Sequence, residues 1–430
     1  MKKLKFLFIS SDALHIDCAW RIQQEGQDVL YYIANKTDGD IGDGFVQKVD
    51  KWEPHVDWAD VIVFDDVLGQ GKIAADLRKK GKLVIGGTPY TDRLEDDRSF
   101  GQDELKKYGV NILNYKEFTD FDSAIEYVKE NPRRYVIKPS GEAQNIKRLL
   151  FVGMEEDGSD VIRILEAYKR VWSSTIKVFQ LQNRMTGVEV AVGGFFNGHK
   201  FLEPININFE HKKLFPGDIG PATGEMGTSM FWSKPNRLFN LTLKKMEEKL
   251  AEEGYVGYID LNCIVNGQGI YPLEFTARFG YPTIQIQTDA LNMSVSEFFY
   301  NLASGDDSEI KIKKGFQIGV RLVVPPYPFR DKKTFDSYSK NATIVFKKPN
   351  LDGIHIEDVK LVNNEWLVTG SAGVALVVNG QGSTMKEAQK QAYSRINNIL
   401  IPNMYYRKDI GERWFEDSDR LHTWGYLREN

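Results

Sequence analysis

Residues 211–228, HKKLFPGDIGPATGEMGT, hold four glycines and two prolines, a density that predicts neither regular helix nor strand. The stretch opens with a basic triplet and carries Asp218, Thr223 and Glu225. Glycine-rich backbone can wrap closely around an anionic or small polar ligand. A structureless segment longer than about 12 residues inside a compact domain is usually functional, so a binding loop is favoured over a merely flexible one.

A second group lies in YVGYIDLNCIVNGQGIYPLEFTARFG, which reads as two strands around a turn at 266–269. Side chains two apart share a strand face, so Asp260 pairs with Asn262, and Glu274 with Thr276. Oxygen ligands on adjacent strands suit Mg²⁺, which takes one or two carboxylates plus substrate phosphates. On geometry alone an equal alternative stands, with Glu274 a salt-bridged strand residue and Asp260 facing solvent. Lys138 ends an apolar strand, RRYVIKPSGEA, before a Gly-containing turn. A lysine there can neutralise phosphate charge, although a strand-end lysine is more often simply solvated.

The elements that must carry these residues follow from periodicity. Strands over 4–10, 28–33, 61–64 and 82–85 alternate with helices over 13–25 and 71–80, predicting a parallel sheet with crossover helices. Ligands of such sheets sit at the carboxyl ends of the strands, which brings 10–12, 65–66 and 86–88 to one edge. Helices over 97–108 and 121–130 follow, with strands over 115–118, 135–138, 178–182 and 188–196. A long helix is expected over 237–253, ahead of the hairpin. Beyond a charged, Gly/Asp/Ser-rich linker near 305–314, strands over 317–324, 343–346, 365–369 and 374–379 predominate, with one helix over 384–396 entered at Ser383.

The composition, 42% hydrophobic and 27% charged over 430 residues, excludes a disordered or collagenous chain and leaves room for two to four structural units. A formal charge of −4 gives no global attraction for nucleic acid or anionic membrane. Cys18 and Cys263 are too far apart for a metal motif and read as buried thiols in a reducing cytosol. His15 and His55 are isolated, so zinc is not expected. No run approaches the roughly 20 apolar residues that span a bilayer, and the MKKLKFLFIS start reads as a strand rather than a signal peptide. A cytoplasmic protein is expected.

Taken in order, these motifs resemble those of the phosphoribosylamine–glycine ligase family of ATP-grasp enzymes in purine biosynthesis. GDIGPATGEMGT matches Gly-Asp-x-Gly-Pro-Asn-Thr-Gly-Gly-Met-Gly, and LEFTARFGYP matches Glu-Phe-Asn-x-Arg-Phe-Gly-Asp-Pro. MYYRKDIGERW matches the family's closing segment, and IGGTPYTDRLEDDRSF, YVIKPSG and TGVEVA agree more weakly. The likeness spans roughly residues 85 to 415. It implies a multidomain α/β and α+β fold: a Rossmann-like parallel sheet over 1–93, an ATP-grasp domain over 94–310 with a mobile lid over about 116–182, and a small mixed domain over 311–430.

The resemblance also implies a ligase that joins a carboxylate to an amine through an acyl phosphate, with ATP and Mg²⁺ (or Mn²⁺) as cofactors. Its partners would be small molecules, with neither nucleic acid nor membrane involved and a monomer or homodimer as the assembly. By position, Arg98, Lys138 and Lys147 would contact ATP phosphates, Leu181, Gln182 and Asn183 the adenine, and Glu189 the ribose. Glu274, Thr276 and Asn262 would hold the metal. Asp218, Gly220, Pro221, Thr223, Gly224 and Arg278 would form the substrate side, with Arg278, Asp218 and Lys138 catalytic.

The chain departs from the family pattern at identifiable places. The glycine-rich turn that binds the ribosyl phosphate is replaced by SSDALHID, and a second small-residue phosphate loop by ANKTDGDIGDG. Thr276 stands for Asn, Tyr281 for Asp, and Glu225 for Gly. Asp12 and Asp17 would repel phosphate at a helix amino terminus, so these two and the acidic 38–43 segment favour a neutral or cationic acceptor.

Overall fold

The computed structural model describes residues 3–66, 69–140, 143, 146 and 149–429. Strands Lys5–Ser10, Asp28–Ile33, Val61–Phe64 and Leu83–Ile85 form a parallel sheet in the spatial order second, first, third, fourth. Their near-continuous apolar runs are buried on both faces, as crossover helices require. Helices Ile16–Gln24 and Gln70–Lys79 make the crossovers. The first begins three residues later than the sequence suggests, because Ala13 takes a left-handed φ of 63°.

Helices Pro89–Asp96 and Arg98–Lys107 then lead into the second layer, each with a side-chain cap. Thr88 and Thr91 form a capping box on the first, and Asp97 accepts from the Phe100 N–H on the second. That cap fixes Arg98 at the first position of its helix.

Two antiparallel sheets flank the space that follows. The smaller has the order Tyr115–Phe118, Phe179–Asn183, Tyr135–Pro139, Phe151–Val152 and is backed by helices Phe121–Glu130 and Ser159–Val171. Phe118, Ile137, Phe179 and Leu181 point into that backing core. The strand period of two therefore turns Lys138, Gln180 and Gln182 the other way.

The larger sheet has eight strands, in the order Gly269–Thr276, Val256–Asn266, Val188–Asn197, Ile205–Glu210, Gly227–Ser233, Phe316–Val323, Val374–Gly382, Ile354–Ile356. Every neighbour is antiparallel. Val190, Val192, Ile207, Phe209, Ile259 and Leu261 pack one face against helices, where each buried side chain contributes roughly 1.5–3 kcal/mol. Asn206, Asn208, Asp260 and Asn262 alternate with them on the opposite face. After residue 310, strands Phe316–Val323, Val374–Gly382 and Ile354–Ile356 complete this same sheet, while Val359–Val362, Glu365–Val368, Thr343–Phe346 and Ile399–Leu400 form a separate small one.

Two expectations are corrected. The helix over 237–253 breaks into Arg237–Leu241, a 3-10 turn Leu243–Met246 and Glu247–Glu252. At the break Thr242 leaves the helical region (φ −128°, ψ −97°) while its hydroxyl donates to the Leu238 carbonyl at 2.6 Å. The glycine-rich stretch is also more regular than its composition suggests. It forms a hairpin, Lys213–Phe215 with Ile219–Ala222, before entering strand Gly227–Ser233. Gly217 (φ 73°) and Asp218 (φ 54°) supply the left-handed turn between the arms.

Candidate active site

The polar face of the larger antiparallel sheet looks onto a cavity of about 430 Å³, whose remaining walls come from helices Pro89–Asp96 and Arg98–Lys107 and from the carboxyl ends of the parallel strands. Arg98 reaches in from its capped helix, 3.6 Å from Glu274 and donating to the Pro139 carbonyl at 3.3 Å. Lys138, buried at the end of its strand, is pulled down to about 7 by burial first and by Arg98 second. Gln180, opposite Lys138 in register, donates to Ser99 at 2.8 Å. Its own Oε1, and Nε2 of Gln182, have no hydrogen-bond partner among the described residues.

Facing this group, Lys212 holds three carboxylates together: Glu189 at 3.0 Å, Glu210 at 3.2 Å and Glu274 at 3.3 Å. Burial opposes its charge, but the glutamates outweigh burial and hold the ammonium well above its ordinary value. Burial likewise pushes Glu189 up, yet Lys212 prevails and keeps it below the usual carboxylate range.

The hairpin pairs Asn262 with Glu274 and Asp260 with Thr276. Asn262 Nδ2 donates to Glu210 at 2.9 Å, which leaves its buried Oδ1 without a partner among the described residues. Asp260 is buried, not solvent-facing, and its carboxyl is pushed well up by burial and then by Glu210. The described residues contain no group of three or more His, Cys, Asp and Glu placed to hold a metal. An orphaned amide oxygen beside Glu274 and Thr276 nevertheless fits Mg²⁺, provided that substrate phosphates complete its shell.

On the parallel-sheet side, Arg278 lies 3.0 Å from Glu95 and 3.4 Å from Asp66. Asp12 and Asp96 line the same wall. Glu225, the acid in place of a family glycine, also lines the cavity, its Oε1 without a hydrogen-bond partner among the described residues and its carboxyl pushed well up by burial and then by Glu210.

The structure therefore brings together Arg98, Lys138, Glu189, Asn262, Glu274, Thr276 and Arg278. Leu181 points into the core behind the smaller sheet, so the backbone of Leu181–Asn183 and the Gln180 and Gln182 amides are what this strand presents on its other face. Lys147 lies outside the described residues. Gly224 lines the cavity, and Thr223 folds back to donate to the Lys212 carbonyl at 2.9 Å. Asp218 instead caps the hairpin, 2.8 Å from the buried Arg407, while Gly220 is exposed and Pro221 half-buried beyond it.

The acidic segments near the amino terminus need correcting too. Asp17 faces away from the cavity and binds Arg21 at 2.7 Å and His355 at 2.6 Å. Asp38 accepts from Asn35 at 2.7 Å, and Asp40 bonds Thr369. Sequence reasoning missed Lys212 and Glu210. The basic triplet at 211–213 and the Ile-Asn-Ile-Asn-Phe-Glu alternation of 205–210 were their signals. Both cysteines are free and buried, and no helix among the described residues is long and apolar enough to cross a membrane.

Comparison with known proteins accords with this geometry. Residues 96–284 match the model of the phosphoribosylglycinamide synthetase ATP-grasp (A) domain, and residues 318–413 match the model of its C domain. A phosphoribosylamine–glycine ligase of Clostridium acetobutylicum is 26% identical over 431 residues, covering 95% of this chain and 100% of that one. One from Halalkalibacterium halodurans is 27% identical over 354 residues, 78% of each chain. Among solved structures, phosphoribosylamine–glycine ligase of Thermotoga maritima superposes with a TM-score of 0.71 at 21% identity, covering 95% of this chain and 100% of that one. The biotin carboxylase domain of Hydrogenobacter thermophilus 2-oxoglutarate carboxylase, solved with MgADP and bicarbonate, gives 0.64 at 14% identity and 98% coverage of both chains. These likenesses identify the fold.

Proposed function

Because this chain belongs to the phosphoribosylglycinamide synthetase family of ATP-grasp proteins, we propose that it is an ATP-dependent carboxylate–amine ligase working through an acyl phosphate. The observation that carries this reading is the convergence of Arg98, Lys138 and Lys212 on Glu274 and Glu189 between the two antiparallel sheets.

The backbone of Leu181–Asn183 and the Gln180 and Gln182 amides hold the base, and Arg98, Lys138 and Lys212 meet the phosphate oxygens. Glu274, Asn262 and Thr276 would hold Mg²⁺, which supplies charge neutralisation at the phosphates when bound. A carboxylate oxygen of the first substrate attacks the γ-phosphorus and ADP leaves. The amine nitrogen then bonds to the acyl carbon, the carbon–oxygen bond to phosphate breaks, and the amine gives up a proton. Arg278, fixed by Glu95 and Asp66, is placed to bind the carboxylate and then the acyl phosphate. Catalysis is mostly positioning and charge neutralisation, with little side-chain proton transfer.

The relatives named phosphoribosylamine–glycine ligase join glycine to phosphoribosylamine, and the same pair is one candidate here. A different amine on the same scaffold is favoured by one observation: Asp12, Asp66 and Asp96 line the wall where a ribosyl phosphate would approach. ADP release measured with ATP, Mg²⁺ and glycine, with and without freshly generated phosphoribosylamine, separates the two. Release that needs both substrates establishes the family reaction. Release with other amines, but not with phosphoribosylamine, establishes the second reading. No release with any amine or carboxylate would overturn the ligase itself.

A further inference from the structure

One end of the cavity is built by the carboxyl-terminal strands of the larger sheet. The strand period that buries Ile318, Val320 and Leu322 in the carboxyl-terminal core turns Gln317, Gly319 and Arg321 to the opposite face. The Arg321 backbone N–H donates to the Met226 carbonyl at 3.0 Å, which sets its side chain beside Glu225. Both side chains line the cavity, Arg321 8% exposed and Glu225 6%.

The Arg321 guanidinium is only partly used. Nη1 donates to the Glu225 carbonyl at 3.3 Å, and Nη2 lies 3.6 Å from Glu357. Nε has no hydrogen-bond partner among the described residues, and neither has Glu225 Oε1. Two other lining residues hold buried polar atoms in the same condition, Asp260 at Oδ1 and Gln102 at both amide atoms. Those two stand on other walls, the hairpin strand and helix Arg98–Lys107. Burial first and Glu210 second push the Glu225 carboxyl well up, so it keeps its proton and can donate. Glu210 itself is already held by Lys212 at 3.2 Å and Asn262 at 2.9 Å. Burying a charged N–H or a hydroxyl without an acceptor is costly. A carboxylate satisfies both donors at once, one oxygen accepting from Arg321 Nε and the other from the Glu225 carboxyl.

Arg278 is placed for the carboxylate that becomes the acyl phosphate, so a carboxylate at Arg321 belongs to the other substrate. We propose that the amine acceptor is an amino acid or a similar carboxylate-bearing amine, its carboxylate held between Arg321 and Glu225. The inference rests on the ligase reading above and names its acceptor class. Arg321 and Glu225 set specificity; the phosphoryl chemistry belongs to Arg98, Lys138 and Lys212.

The test is calorimetry on the full chain saturated with Mg²⁺ and a non-hydrolysable ATP analogue. The proteinogenic amino acids are titrated one by one, each beside the amine that lacks its carboxylate (alanine beside ethylamine, for instance), and ribose 5-phosphate separately. At least one amino acid is expected to bind about tenfold or more tighter than its amine, and ribose 5-phosphate to give no heat. Arg321→Met and Glu225→Leu should each weaken that amino acid by about tenfold or more. Glu225→Gln keeps an N–H donor and should preserve most of the affinity. If Arg321→Met does not fold, the two Glu225 variants decide. Amino-acid affinity that ignores both Arg321→Met and Glu225→Leu would overturn the proposal, because the carboxylate then sits elsewhere. So would an amine that binds as well as its amino acid, binding of ribose 5-phosphate in place of any amino acid, or binding of none. Failure of the ATP analogue itself to bind would strike the ligase reading first and the acceptor class with it.

Discussion

His355 and Asp17 stand 338 positions apart in the chain and meet at 2.6 Å, both buried. The other imidazole nitrogen lies 2.9 Å from Asp289. One side chain on strand Ile354–Ile356 thus ties together the first crossover helix and helix Thr283–Asp289. Burial and Arg21 oppose a charge on His355, yet Asp289 and Asp17 prevail and raise it above the ordinary histidine value. Burial likewise opposes ionisation of both carboxyls; Arg21 chiefly for Asp17 and His355 chiefly for Asp289 keep them low.

Removing this histidine leaves two buried carboxylates without the imidazole that both contact, so His355→Ala should cost about 3–5 kcal/mol of stability. A raised histidine contributes fully below its unfolded value of about 6.5, and that contribution is lost as pH rises through the folded value. Lowered carboxylates contribute above about 4 and lose their contribution as pH falls. The stability difference between the native protein and His355→Gln, from urea melts, should be largest between those limits and shrink in alkali. A difference that is flat with pH would show the imidazole to be neutral throughout.

Lys138, at about 7 in the free protein, must be protonated to meet a phosphate. Nucleotide binding should therefore take up a proton near pH 7.5, seen as a binding heat that changes with the buffer's ionisation enthalpy. Above pH 7 affinity should fall by up to about tenfold per unit. Lys138→Met should bind more weakly and lose both effects. Unaltered affinity in that variant would remove the lysine from the phosphate site.

Glu274→Gln keeps the shape of the side chain but removes the carboxylate expected to anchor Mg²⁺. ADP formation should drop by about two to three orders of magnitude. Melting curves should change little, because Glu274 is 40% exposed. Near-normal turnover would exclude it as a metal ligand.

Lys212→Met removes the one cation that Glu189, Glu210 and Glu274 share among the described ion pairs. Nucleotide affinity without Mg²⁺ should fall steeply, because the remaining acids repel the phosphates. Excess Mg²⁺ should recover part of it by shielding them. An Mg²⁺-independent loss, read by fluorescence titration at several metal concentrations, would point to a collapsed site instead.

Much of this site is written in local patterns. The pairing of Asn262 with Glu274 follows from the turn at 266–269 and the strand period, and the parallel sheet follows from its alternation with helices. Asn262, Glu274 and Thr276 sit on that hairpin and Lys138 on a strand of its own, and the proposed roles of these residues follow from the family resemblance. Contacts between distant segments carry no such local signature. Nothing in the residues around Asp17 announces His355, and nothing around Asp218 announces Arg407, 189 positions away. The fate of the 211–228 stretch illustrates a second limit. Its composition reads as an irregular loop, but Gly217 and Asp218 supply a left-handed turn, and whether such a turn closes a hairpin depends on the strand beside it.

The strand Gly227–Ser233 is bonded on one side by Ile205–Glu210 and on the other by Phe316–Val323. A chain cut near residue 310 would retain Arg98, Lys138, Lys212 and Glu274 yet expose one whole flank of this seven-residue strand. Its bare amides and carbonyls would be a template for pairing with other molecules. The carboxyl-terminal third is thus also a built-in guard against self-association. It cannot be trimmed to make a minimal catalytic fragment without first giving that flank another cover.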